Sequence, residues 1–173
     1  MTAGGEPAEA RIAALEARLQ RLEEERDIQR LIASYGPCVD AANSAGAAEL
    51  WAEDGSYDVE GWRMTRREDI RAMVDSEGHR ALVDRGCCHF LGPAVVSVDG
   101  DEAVAVCESL VLRAADEGPT EYVVWRAAAN HFHLQRVAGR WRIVARTTRL
   151  LNGNPEAHRL LTAGLAGERL DLS

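Results

Sequence analysis

Two adjacent cysteines and a histidine stand together in RGCCHFLGP, residues 85–93, just before a glycine and a proline. Those residue types permit a metal site, a redox pair or a general base with small neighbours. Zinc sites draw on C-x2-4-C pairs or grouped His and Cys, and the adjacent Cys87 and Cys88 lack that spacing. On a strand Cys87 shares a face with His89 while Cys88 looks the other way. Both are then expected to be small buried fillers, and a disulfide is disfavoured in a reducing cytoplasm. A second histidine pair, His131 and His133 in NHFHL, shares one strand face, with Asn130 and Phe132 on the other. With no matched carboxylate or third histidine, it is read as structural. No metal is expected. His79 in SEGHRAL is read as solvated, and His158 has no informative context. At His89 base chemistry stays open, because an imidazole can take a proton near neutral pH.

These residues need a frame to position them. Residues 8–35 place Ile12, Leu15, Leu19 and Leu22 at alternating three- and four-residue steps, then Ile28, Leu31, Ile32 and Tyr35 on a shifted stripe. The first stripe resembles a short coiled-coil seam, and LEEERDIQR between the two marks a break or a solvated face. Gly36 and Pro37 are expected to end or kink this helix. A short helix near residues 45–51 follows, then a turn into a strand in EDGSYDVEG. One amphipathic helix is predicted over TRREDIRAMVDSEGHRALVDR, capped by Thr65 with Glu68 three residues on. From Cys87 onward the runs HFLGPAVVSV, EAVAVCESLVLRAA, EYVVWRAAANHFHLQRV and RWRIVARTTRLL predict an antiparallel meander. A short helix from Pro155 and a loose tail close the chain.

The expected fold class is α+β, a cone in which a curved mixed or antiparallel sheet packs on helices and encloses a pocket. The predicted layout is a helical extension over 1–23, a domain over 24–160 and a tail over 161–173. With 173 residues, 46% of them hydrophobic and 28% charged, the chain suits one domain with a single core. All 20 basic residues are arginine and the net charge is −8, which argues against a nucleic-acid binder and excludes a lysine Schiff base. No apolar run approaches the ~20 residues that span a bilayer. MTAGGEPAEA has neither the basic region nor the apolar core of a secretory signal, so a cytoplasmic location is expected.

Four separated segments carry a resemblance: DIQRLIASYGPCVDAAN, ELWAEDGSYDVEG, HFLGP leading into VVSVDGDEAVAV, and RVAGRWRIVAR. Together they resemble the SnoaL-like branch of the nuclear-transport-factor-2-like superfamily over roughly residues 24–160. That resemblance implies the cone-shaped fold and a range of activities, among them scytalone dehydratase, bile-acid dehydratase, hexachlorocyclohexane dehydrochlorinase and polyketide cyclases. In the eliminating members a strand histidine pairs with an aspartate just after the first helix, which motif matching puts on His89 and Asp40. The bile-acid dehydratase adds a tyrosine five residues before the aspartate, where Tyr35 stands.

The trio is chemically coherent. A carboxylate fixes the tautomer of an imidazole base, and a phenol polarises a carbonyl or protonates a leaving hydroxyl. On an ideal helix, however, Tyr35 and Asp40 lie about 140° apart. Asp40 taken alone would be a turn carboxylate held by backbone amides. Trp125 or Arg126, Asn130, Trp62 and Phe90 are candidates for substrate contact, and Arg146 and Arg149 are candidates for an anion, though arginines at the mouth of a sheet are more often solvated or paired. The implied activity is a cofactor-free lyase acting on a small hydrophobic, cyclic, hydroxylated or keto molecule. A cyclase or isomerase, an epoxide-opening enzyme and a non-catalytic binding module are the alternatives. The stripe Ile12–Leu22 implies a homodimer or homotrimer.

Overall fold

The structure is a computed structural model that describes residues 7–115 and 118–170, side chains at 118 and 119 excepted. Among the described residues five helices, α1 (Ala8–Asp40), α2 (Ser44–Ala48), α3 (Arg67–Asp75), α4 (Glu77–Asp84) and α5 (Pro155–Leu165), accompany seven strands. The strands are β1 (Trp51–Val59), β2 (Trp62–Met64), β3 (Cys87–Leu91), β4 (Val95–Asp99), β5 (Glu102–Ala115), β6 (Gly118–Val137) and β7 (Arg140–Leu150). They form one sheet in the order β2-β1-β7-β6-β5-β3, with β4 also paired to β5. The meander holds from β5 to β7, but β1 lies parallel to β7, so the sheet is mixed. Register shifts at Val111/Leu112, at His133/Leu134 and between Trp51 and Ser56 put extra residues into single strands, and such bulges bend a sheet into an open cone.

Helix α1 seals the wide face of that cone. Ile28, Ile32, Tyr35 and Val39 recur at three- and four-residue steps and sink among Trp51, Phe132, Leu134 and Ile143. Burying each such side chain contributes about 1.5–3 kcal/mol. The helix is continuous through LEEERDIQR and through the expected boundary at residue 23. Nor does Gly36-Pro37 end it: Pro37 lies inside the last turn and the helix runs to Asp40. The missing Pro37 amide leaves the carbonyl of residue 33 without its helical partner, at a position where Ala33 is exposed. Termination comes at Ala42, whose φ of 51° turns the chain back so that the Asn43 amide donates to the Cys38 carbonyl at 2.8 Å.

Four other expectations need correction. The helix predicted after Thr65 is two helices, broken at Ser76, whose extended backbone (φ −64°, ψ 149°) cannot continue a helix and whose hydroxyl caps the His79 amide at 3.2 Å. The first of them is capped by Asp69 reaching back to the amides of Thr65 and Arg66, at 2.9 and 3.1 Å, rather than by Thr65 with Glu68. HFLGPAVVSV is two strands, β3 and β4, which pair with successive stretches of β5 across a break at Gly92–Ala94. Helix α5 begins at Pro155 as expected. The described residues just beyond it, 166–170, are tied down: Glu168 accepts from His131 through its carbonyl, at 2.9 Å, and Arg169 pairs with Glu102 at 2.7 Å, while the rest of the expected tail lies outside the described residues.

Candidate active site

The position of Gly36 decides how α1 meets β3. A Cβ at this residue would stand 2.0 Å from the His89 carbonyl oxygen, so only glycine lets the two backbones approach this closely. One turn further on, Asp40 reaches the start of β3. Its Oδ2 accepts the His89 backbone amide at 2.7 Å and its Oδ1 meets His89 Nδ1 at 2.6 Å. Both carboxylate oxygens therefore hold a single residue. The Cys87 thiol also donates to Oδ1, at 3.5 Å, as expected for a side chain on the face of His89. Burial, then the charge and hydrogen bond of Asp40, push that thiol up to about 12, so it stays protonated at neutral pH. With Nδ1 committed to the carboxylate, Nε2 is the ring atom left to the cavity that His89 lines.

That cavity holds about 270 Å³ between the concave sheet and α1, α3 and α4. Its size sits near the lower end of small-molecule pockets, ~300–1,000 Å³, and its wall is mainly apolar or aromatic: Tyr57, Val59, Met64, Met73, Leu91 and Leu110. Tyr35 lines it too, 6% exposed and edge-on to both Trp51 and Tyr57. Burial, followed by the neighbouring Tyr57, holds its phenol well above the usual range, while Arg146 pulls the other way. Tyr35 and Asp40 thus stand on different sides of α1: the phenol joins the aromatic wall and forms no hydrogen bond with the dyad.

The same cavity is lined by a cation that the sequence reading undervalued. Arg146 is 3% exposed, lines the cavity, and has its guanidinium over the rings of Tyr35, Tyr57 and Phe132 at 4.3, 4.5 and 5.1 Å. Asn130 Oδ1 accepts from its Nε and Nη2 at 3.2 and 2.7 Å and from the Thr148 hydroxyl at 2.8 Å. Nη1 meets no acceptor at hydrogen-bonding geometry, and no carboxylate among the described residues pairs with this guanidinium. Its neighbour Arg149 faces the other way and is fully paired, with Asp58 at 2.8 Å and Glu156 at 2.6 Å. Strand alternation separates the two arginines, but without the β6–β7 register no sequence signal says which one faces inward.

The remaining candidates divide. Trp125 and Trp62 line the mouth of the cavity, 46% and 58% exposed, and the Arg113 and Arg126 guanidiniums lie over the Trp125 ring. Asn130 is fully buried behind Arg146 and touches the cavity through it. Phe90 is 53% exposed and points away, since the alternation that aims His89 inward turns Phe90 out. His79 is not solvated: it lines the cavity with its ring 5.9 Å from that of His89. The break at Ser76 aims it there, and Ser-Glu-Gly-His was the helix-start signal that could have revealed this. His131 and His133 lie on the outer face, bonded to the Glu168 carbonyl and to Glu102. Asp40, Cys87 and His89 also place three ligand-type atoms within 4.8 Å of one another.

Residues 20–147 match the model of the SnoaL-like domain. The chain belongs to the SnoaL-like family. An NTF2-like protein with a cystatin-like fold from Novosphingobium aromaticivorans is 42% identical, with a TM-score of 0.81 over 85% of this chain and 94% of that one. A Mycobacterium tuberculosis protein of unknown function is 24% identical, with a TM-score of 0.68 over 87% and 91% of the two chains. A second N. aromaticivorans protein, named provisionally for scytalone dehydratase, is 20% identical, with a TM-score of 0.63 over 75% and 85%, and shares the fold. No curated protein matches. Among the described residues of this SnoaL-like domain, no helix is long and apolar enough to cross a membrane.

Proposed function

We propose that this SnoaL-like protein is a cofactor-independent lyase that removes water from a small cyclic hydroxy-ketone. The observation that carries the reading is the double hold of Asp40 on His89, which fixes the ring and leaves Nε2 toward an apolar cavity. In the proposed step Nε2 takes a proton from the carbon next to the carbonyl. Asp40 supports the resulting imidazolium, and the electron pair moves onto the carbonyl oxygen. Arg146 supplies a preorganised positive charge for that oxygen, since it lines the cavity and no carboxylate among the described residues neutralises its guanidinium. The electron pair then returns to expel the β-hydroxyl, which takes the same proton from His89 and departs as water. Nothing is oxidised and the base is regenerated.

Loss of water from β-hydroxyketones of one or two rings, followed by mass spectrometry with α-proton exchange in D2O alongside, tests this. The expected result is dehydration and exchange that both vanish in His89→Ala. Tight binding of such ketones with neither dehydration nor exchange would favour a binding module. Exchange without dehydration would favour an isomerase or cyclase, because moving an α-proton needs the dyad but no leaving group.

A further inference from the structure

The first turns of α1 project from the cone. Every residue from Pro7 to Glu23 is exposed, and burial of the helix begins only near Glu24, pinned by Arg136 at 2.6 Å, and Ile28. Along this stem Ile12, Leu15, Leu19 and Leu22 are 55–63% exposed and form one stripe. Steps of three, four and three residues are the a and d positions of two heptads. The family match starts at residue 20, so most of the stripe lies outside what the family shares.

We infer that this stripe packs against the same stripe of a second copy as a parallel, two-stranded coiled coil. The flanking charges choose the partner and its direction. With Ile12 and Leu19 at a, the g positions are Arg11 and Arg18 and the e positions are Glu16 and Glu23. In a parallel pair each g residue faces the e residue five further on in the partner, so Arg11 meets Glu16 and Arg18 meets Glu23, each twice by symmetry. In an antiparallel pair g faces g and e faces e, which sets Arg18 against its own copy and Glu16 against its own. Self-pairing in parallel is therefore attractive at every flank, and the reverse orientation is repelled. Ile at an a position with Leu at both d positions favours two strands.

Two heptads are too few for free peptides, because helix nucleation is costly. Here that cost is already met: Ile28, Ile32 and Val39 anchor the same continuous helix in the core. Pairing then buries four apolar side chains per copy and orders a stem that is helical beforehand.

Sedimentation of the full chain at micromolar concentration is expected to give a dimer, and deletion of residues 1–22 a monomer. Arg11→Glu with Arg18→Glu places Glu against Glu at both flanks, and Glu16→Arg with Glu23→Arg places Arg against Arg. Each double variant alone should dissociate at least ~10-fold more readily, and an equal mixture should restore the dimer as a heteropair. A Leu22→Cys variant should oxidise to a dimer bridged at residue 22, since only the parallel arrangement brings the two copies of that residue together; the antiparallel one sets residue 22 opposite residue 12, about 15 Å along the helix. A monomeric or trimeric full chain, a dimer that survives the deletion, double variants that self-associate as well as the parent, or no bridge at residue 22 would overturn the inference.

Discussion

At the scale of single residues the site divides the work between a held base and an unpaired cation. His89→Ala should abolish turnover with the fold intact, because the ring borders a cavity rather than filling the core. Asp40→Asn keeps the shape but loses the charge, and should cost on the order of 10²–10⁴ in kcat. The double variant should be little worse than the worse single one, since the pair acts as a unit. Tyr35→Phe, assayed alongside, tests whether the phenol enters the reaction: a loss confined to KM makes it wall, a loss in kcat makes it an acid. His79 carries a prediction of its own. Burial, then the facing His89, lowers its pKa below the ordinary 6.5, with the Val74 backbone and Asp40 opposing. The folded state therefore resists protonation that the unfolded chain accepts, so stability should fall as pH drops through 6.5. Urea midpoints measured at about pH 7 and pH 5 should differ less in His79→Phe than in the parent.

At the scale of elements, the contact of α1 with β3 sets the dyad. Gly36→Ala drives a methyl into the His89 carbonyl, and such overpacking typically costs about 1–3 kcal/mol. It should also lower activity beyond what destabilisation explains, because it moves Asp40 off β3. Gly164→Ala, crowding Val106 at 2.4 Å under α5, is the control: a lower Tm with kcat preserved. Much of this architecture was legible in the sequence. The stripes of α1, the meander β5–β7 and the Pro155 start of α5 follow from periodicity and turn residues, and the resemblance pointed to Asp40 with His89. What stayed hidden depends on long-range partners. Gly36 looked like a helix breaker because its use is a contact with a strand some fifty residues away. The parallel β1–β7 pairing, the inward turn of Arg146 and the outward turn of Phe90 need the register, which bulges shift by single residues.

At the scale of the whole molecule, the sheet and the last helix are tied by a buried ion network. Burial opposes ionisation of Asp58, but hydrogen bonds from Arg149 and the Gly61 amide hold its carboxyl below the usual range. A carboxyl lowered on folding stabilises above its unfolded pKa, about 4, and that contribution is lost as pH falls through the folded value. Asp58→Asn should therefore destabilise at neutral pH, on the order of 3 kcal/mol for a broken buried pair, and flatten the acid limb of the stability curve. Chemical denaturation at about pH 7 and pH 3 measures both.

The three-way hold on Asn130 Oδ1 also makes the cavity's charge a tunable quantity. Asn130→Asp is nearly isosteric, keeps an acceptor for Arg146 and Thr148, and lets the Ser109 hydroxyl reverse from acceptor to donor. Yet it turns a cationic chamber into an electroneutral one. Ligands that carry a full negative charge should lose affinity in that variant, whereas neutral ligands of the same outline should bind as before. One atom exchanged behind the wall would then sort the protein's ligands by valence instead of by shape.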